Sequence, residues 1–362
     1  MRTMKQTGYI VFDLEWNQSA DGKEGEVREL PFEILEIGAV KLNENREPVS
    51  EFSRVIRPVV YKKLHYKVLE ITHVGMDELK KRGVPFAEAV RDFLRWCEEE
   101  PGRETGDGSL SPYSENDAKC QKTETENRPP VSCRPVFCSW GNMDLTELQR
   151  NMAFHGVENP FPYPLLYYDL QKLYNLLYLD NSKNRMPLEK AVEELGLPPA
   201  EQFHRALDDA RCTAAVMKEM DFPKVEEYLS LDYYRLPETS EDEVYLVFPD
   251  YSKFVSRKFP TREDAIADKT VTDLICYRCR RMLKKKIRWF TGNQRYYYSV
   301  GICPEHGSVK GKIRMKHTPD GQVYAIKTIK LTDEAGVERI RRIKEETLDR
   351  RRIKHRLKGP GN

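Results

Sequence analysis

The chain has 362 residues, too many for one typical domain and enough for two, each able to bury a core. Its 60 Lys and Arg against 58 Asp and Glu give a formal charge of +2, but residues 276–362 hold 24 basic and 8 acidic side chains, which leaves the remainder at about −14. That asymmetry suits an acidic part that binds cations and a basic part that follows a polyanion. A membrane span of roughly 20 apolar residues is excluded, and the run Tyr9 to Phe12 is cut by Asp13 too early for a secretory signal core, so a cytoplasmic protein is expected.

In chain order, residues 9–15, 34–42 and 51–57 read as three strands, rich in β-branched and aromatic residues and fit for an antiparallel meander. Phe86, Val90, Phe93, Leu94 and Cys97 recur at helical spacing after Pro85, which predicts a helix over 85–99. Residues 100–134 are almost devoid of large apolar groups and predict a mobile insertion, because they cannot offset their ordering entropy. A buried strand at 135–140 follows, then a helix from about Asn142, an N-cap residue type, towards His155. Residues 167–170 predict another strand, and helices are expected at 169–179, 187–196 and 204–220. Strands first and alternating helices later indicate an α/β domain over 1–225 with a central mixed sheet. Residues 226–275 read as a connecting segment. Beyond about residue 240, strand-like runs at 244–248 and, in the basic part 276–362, at 287–290, 295–300 and 323–331 precede a charged helix over 333–357.

Three distant segments carry the chemistry: VFDLE at 11–15, WGNMD at 140–144 and HRALDD at 204–209. Asp13 and Glu15 are two apart on a strand, so both project from one face. Two buried carboxylates side by side are costly unless cations or donors compensate, and a pair of Mg²⁺ ions does so directly. Asp144 at one helix start and Asp209 within another can complete such a site. Two ions about 4 Å apart would stabilise the attacking and leaving oxygens of a phosphodiester in line. His204 and Asp209 would lie about 140° apart on one regular helix, so His204 belongs at or before the helix start, where it can take a proton from water.

These motifs resemble the DEDDh group of 3′–5′ exonucleases with the ribonuclease H-like fold, and VFDLEW with the later SWG looks most similar to the bacterial Eri1-like branch. The resemblance covers roughly residues 7–222. It implies that Asp13, Glu15, Asp144 and Asp209 hold two Mg²⁺ (or Mn²⁺) and that His204 is the general base. The family spacing of four residues between His and Asp favours Asp209 over its neighbour Asp208. Contacts to the strand end are implied for Trp16, for Thr72 and His73 in ITHV at 71–74, where members often have LTGI, and for Trp140, Gly141 and Asn142. Trp16 stands where many members have a small Thr-rich stretch, which bears on substrate preference more than on catalysis.

Cys97, Cys120, Cys133, Cys138 and Cys212 show no ligand-like spacing and read as buried or incidental thiols. Cys276 and Cys279, then Cys303 and His306, form two pairs of equal spacing that suit one structural Zn²⁺ in a zinc-ribbon-like module. Between them Arg280, Arg281, Lys284, Lys285, Lys286, Arg288 and Arg295 interleave with Trp289, Phe290 and Tyr296 to Tyr298. Such a pattern either follows a nucleic-acid backbone with stacked bases or, at alternate tyrosines, builds a core. The terminal helix offers a second basic face or a nonspecific electrostatic tail. The function expected is a two-metal 3′–5′ exonuclease of single-stranded nucleic acid, RNA before DNA. The alternatives are a DNA exonuclease and a nucleic-acid-binding regulator with little nuclease activity.

Overall fold

The computed structural model describes residues 8–72, 75–99, 135–179, 185–200, 204–293 and 295–357. The insertion expected at about 100–134 lies outside them. The chain divides into two units, Met1–Arg235 and Leu236–Asn362. Among the described residues, no helix is long and apolar enough to cross a membrane.

In the first unit, β1 (Tyr9–Asn17), β2 (Glu33–Leu42) and β3 (Pro48–Val55) form the antiparallel meander, and β4 (Val136–Ser139), β5 (Leu166–Asp169) and β6 (Ser230–Leu231) extend it to the order β3-β2-β1-β4-β5-β6. β4 runs parallel to β1 and β5 parallel to β4, whereas β6 is antiparallel to β5. The period-2 alternation of β1 sorts its apolar side chains to two cores. Ile10, Phe12 and Leu14 face α3 (Phe86–Glu98) and α4 (Asp144–Phe154), through Phe86, Val90, Phe93, Leu145, Leu148 and Met152. Tyr9 and Val11 face α5 (Leu170–Tyr178), α6 (Leu188–Glu194) and α7 (Ala206–Glu219), through Leu173, Tyr174, Ala191, Ala210 and Met217. The result is the expected α/β class, a mixed sheet with helices on both faces. Two short helices, α1 (Tyr66–Thr72) and α2 (Met76–Arg82), which the sequence pattern does not single out, lie between β3 and α3.

Position 225 is too early an end for this unit. β6 lies beyond it, and the buried Asp232 accepts hydrogen bonds from Thr146 Oγ1 and Gln149 Nε2, both at 2.7 Å, tying residues after 225 to α4.

The second unit is one antiparallel sheet in the order β7-β8-β12-β11-β10-β9, built from β7 (Val244–Val247), β8 (Tyr251–Val255), β9 (Lys284–Asn293), β10 (Tyr296–Cys303), β11 (Gly307–His317) and β12 (Val323–Leu331). α8 (Arg262–Ala267) and α9 (Lys269–Thr272) cover Phe254, Ile313, Met315 and Ala325 on one face. α10 (Glu334–Leu357) packs Val337 and Ile340 against Ile287, Val300 and Tyr298 on the other. Residues 236–275 are therefore not a connector: they supply two strands and two helices of this unit. The pairing of β8 with β12 joins Ser252 to Ile329, a long-range register that no local pattern reveals. α10 is likewise no detached tail, since its first half completes a core.

Candidate active site

The acid site grows from the end of β1. Asp13 pairs across the sheet with Gly38 and Glu15 with Glu36, and a register shift follows at Glu15/Trp16, a bulge of the kind that re-aims side chains at sheet ends. Gly38 is required by packing: a Cβ there would meet the backbone N of Leu207 at 2.0 Å and the backbone C of Ala206 at 2.1 Å. The bare position lets the first turn of α7 lie on β2, and that turn carries Asp209. Asp144 is the first residue of α4, where the helix dipole favours an anion, and its carboxylate accepts the Leu14 N–H. The cap expected of Asn142 is absent. Met143 precedes the helix without a side-chain cap, and Asn142 Oδ1 instead accepts from Arg185 at 3.3 Å.

Burial and mutual repulsion raise all four acids. Burial, then Asp144, Glu15 and Asp209, push the Asp13 carboxyl well above its usual range. Burial, then Asp209, Glu36 and Asp144, raise Glu15 to about 8 against the pull of Arg205. Burial also raises Asp144 and Asp209, each to about 7. Two further carboxylates escaped the sequence pattern, and each has its own cation. Glu36 receives Arg205 through Nε at 3.0 Å and a second nitrogen at 3.3 Å. Asp169 caps α5 through the Lys172 N–H at 2.9 Å and pairs with Arg185 at 3.2 Å. Asp208 turns away, to Arg211 at 2.9 Å.

His204 precedes α7 at φ +66°, a left-handed conformation that side chains bearing a Cβ enter at a cost. Its N–H donates to Asp209 Oδ2 at 3.1 Å, and its Nε2 lies 3.4 Å from Glu189 Oε1 on α6. Ligand atoms of Glu15, His204 and Asp209 lie within 4.8 Å of one another. Glu189 was invisible to motif reading, since it stands fifteen residues before the histidine in an ordinary helical pattern.

A cation fits this donor set. Asp209 Oδ1 is buried and has no hydrogen-bond partner among the described residues, and a bare carboxylate oxygen among other acids is what a hard divalent ion would satisfy.

Of the strand-contact residues, Trp16 is half-buried, its ring 5.6 Å from that of Phe32. Trp140 donates from Nε1 to Met186 O at 3.1 Å and packs 5.8 Å from Tyr174, so its indole is already engaged. Gly141 takes φ +140° in the turn between β4 and α4. Thr72 ends α1, its side chain outside the described set, and His73 lies outside the described residues altogether.

In the second unit, Cys279 Sγ lies 3.5 Å from Cys303 Sγ, and His306 Nδ1 lies 3.7 Å from Cys276 Sγ and 3.6 Å from Cys303 Sγ. Disulfide sulfurs would stand about 2.05 Å apart, whereas the edges of a tetrahedron around zinc, with bonds of about 2.3 and 2.05 Å, are about 3.6 to 3.8 Å. The four donors therefore fit zinc. Burial pushes the Cys303 thiol up, but His306 and the N–H groups of Glu305 and His306 outweigh it and bring the thiol down to about 6, favouring the thiolate a metal needs. Cys276 is packed among Leu274, Leu283, Val309 and Ile329. Protein kept reduced and free of chelators is expected to carry about one zinc per chain, and Cys276→Ser to lose it and loosen this unit. Elemental analysis that finds no zinc in the parent protein would remove the assignment.

The remaining thiols behave differently. Cys97, Cys138 and Cys212 are buried and free, and burial raises all three, Cys212 to about 11. Cys120 and Cys133 lie outside the described residues. The aromatics between the zinc-ligand pairs serve mainly the fold: Trp289 donates to Thr272 O at 2.6 Å, while Tyr297 and Tyr298 pack on separate cores.

Sheet and acid cluster together resemble those of DEDDh-type 3′–5′ exonuclease domains. No family model matches the sequence. Among curated proteins the chain is similar to KapD of Bacillus subtilis (strain 168), described as a probable 3′–5′ exonuclease, with 29% identity over 224 residues covering 61% of this chain and 88% of that one. Solved structures give more distant likenesses. Cell-death related nuclease 4 (CRN-4) is 15% identical, with 63% of this chain and 67% of that chain covered and a TM-score of 0.43. A 3′-exonuclease described in 3′-end specific recognition of a histone mRNA stem-loop is 17% identical, with 65% and 94% covered and a TM-score of 0.44. Escherichia coli ExoI in a complex with ssDNA is 12% identical, with 62% and 42% covered and a TM-score of 0.43.

Proposed function

We propose that the first unit is a two-metal-ion 3′–5′ exonuclease of single-stranded nucleic acid, with RNA as the preferred polymer, and that the second unit helps to hold the strand. What supports the reading is the grouping of Glu15, His204 and Asp209 ligand atoms within 4.8 Å of one another, with Asp13 and Asp144 near enough to raise and be raised by the same acids. Two divalent cations held by these four acids would offset charge developing on the phosphoryl oxygens. His204 takes the proton of the attacking water at an imidazole nitrogen, and Glu189, 3.4 Å from Nε2, steadies the charged ring. Arg205 pairs with Glu36 beside Glu15 and offsets part of the charge that Glu36 adds to the metal-binding acids. The choice of RNA rests on the likeness of VFDLEW and SWG to the Eri1-like branch.

The test is incubation of the full chain with matched RNA and DNA oligomers, labelled at the 5′ end, in Mg²⁺ or Mn²⁺. A ladder descending from the 3′ end, faster on RNA, is expected. No ladder with either ion removes the nuclease assignment, and equal or faster DNA cleavage removes the choice of polymer. His204→Ala is expected to lower the rate about 10² to 10⁴-fold, the usual worth of a positioned base, with substrate binding kept. An unchanged pH–rate profile in that variant would count against the base.

A further inference from the structure

The zinc-ligand pairs enclose one set of cations in the sequence, but the sheet of the second unit gathers a different set. β11 alternates strictly: Val309, Gly311, Ile313 and Met315 enter the cores beneath it. Lys310, Lys312, Arg314 and Lys316 therefore share the other face. Across the strand pair, Arg314 stands opposite Tyr296 and Lys312 opposite Tyr298, with the Lys312 ammonium 4.4 Å from the Tyr296 ring centre. At the end of this row opens a cavity of about 560 Å³ lined by Arg262, Arg295, Arg314, Lys316, His317 and Tyr324, with Met315 on its wall.

Among the described residues, none lining the cavity is a carboxylate. Among the described residues no ion pair joins Arg262, Arg295 or Arg314 to an acid, whereas Arg257 of the same unit has two, with Glu243 and Asp268. The Nε groups of both Arg262 and Arg314 are buried and have no acceptor. A buried donor without an acceptor is expensive, and two guanidinium groups short of acceptors in one cavity lack an anion that the described residues do not supply. Lys316 reports the same crowding: burial, then Arg314 and Arg295, hold its ammonium below the ordinary lysine range. Tyr324, buried on β12, adds a hydroxyl to a set otherwise made of donors that match phosphate oxygens.

We propose that this cavity is a phosphate-binding site and that it seats backbone phosphates of single-stranded nucleic acid, with the strand continuing along the cationic row of β11. The phosphate chemistry follows from the cavity alone; the strand as its source rests on the reading of the chain as a nuclease. Arginine forks fix a phosphate bidentately, while the lysines of the row act as point charges that tolerate any sequence.

Binding is measured on the full chain with Mg²⁺ and Mn²⁺ withheld and no chelator added, so that cleavage plays no part and the metal of this unit is kept. The probes are a labelled 25-nucleotide single strand and inorganic triphosphate alone. Arg314→Gln, and separately the exposed Arg295→Gln, which leaves the buried core untouched, are each expected to weaken strand binding about ten-fold near 0.1 M salt. Removing one phosphate-binding cation should flatten the slope of log affinity against log salt by about 0.7. Triphosphate is expected to compete with the strand for the parent protein and to lose that ability in the variants. Variants that lose triphosphate binding but keep the strand's affinity and slope would overturn the strand as the source. Variants that keep both would overturn the site itself. A chain that binds through these arginines yet never hydrolyses anything would refute the nuclease reading and leave the site standing; a hydrolase whose binding ignores them would do the reverse.

Discussion

Asp13→Asn or Asp209→Asn is expected to cut hydrolysis of a single strand by about 10³-fold or more, while Asp208→Asn stays within a few-fold of the parent. Adjacent aspartates thus give opposite results because the helix sends them to opposite surroundings. Asp208 pairs with Arg211, which also holds Glu51 on the surface. Asp209 is buried at 8% exposure, faces Glu15 and keeps one oxygen without a partner. Removing a charged ligand forfeits several kcal/mol of transition-state stabilisation, and each 1.4 kcal/mol, roughly, is ten-fold in rate. The fold should survive. Asparagine has the same shape, and its one remaining oxygen can still accept the His204 N–H that Asp209 Oδ2 accepts at 3.1 Å. Initial rates on a 5′-labelled oligomer, with circular dichroism to verify folding, decide the matter. Near-full activity in either ligand variant would remove the metal-site assignment.

The parts of this molecule that were legible in sequence are those governed by local periodicity. Asp13 and Glu15 share a face because strands alternate, and His204 must leave the helix because five residues do not return to one face; both follow from geometry over a few residues. The missing parts are long-range. Arg205 meets Glu36 across 169 positions, and nothing near either residue announces the other. Gly38 looks like any glycine in an apolar strand until α7 is seen lying on it. Asp169 lies in none of the three motifs, and only its contacts with Arg185 and the start of α5 show that it is already satisfied. β11 was hidden differently: its lysines and arginine read as charge, although every second residue is apolar or glycine and the alternation is complete from Val309 to Met315. β7 shows in the sequence as the run at 244–248, but β8 is only five residues long and pairs with the distant β12, so a local reading leaves it as linker.

The metal-free protein should become less stable as pH rises from about 4 to about 8, the reverse of ordinary acid denaturation, and divalent ions should abolish the effect. The unfolded chain titrates its carboxyl groups near 4. In the folded chain Asp144 and Asp209 hold their protons to about 7 and Glu15 to about 8, with Asp13 displaced in the same direction. Between those limits the native state binds more protons than the unfolded state, so the slope of stability against pH is negative. The contribution is fully present below about 4 and is gone once pH has passed the folded values. Burial of Asp144 and Asp209 makes the effect large, and the partial exposure of Asp13 and Glu15 reduces their share. A loss of about 2 kcal/mol or more between pH 5 and pH 8 is expected, which for a unit of this size is a fall in Tm of about 4 to 8 °C. Asp13→Asn removes one of the repelling charges, so in EDTA at pH 8 it should melt above the parent, although it is the variant that cannot hydrolyse. Millimolar Mn²⁺ or Mg²⁺ should raise the parent's Tm at pH 8 far more than at pH 5, because the ions bind the ionised acids that protons occupy at low pH. Thermal melts of parent and Asp13→Asn over this range, with and without metal, test all three expectations. A parent whose Tm in EDTA is flat or rising from pH 5 to pH 8, and which Asp13→Asn does not exceed, would show that the four acids are not held together as a charged cluster.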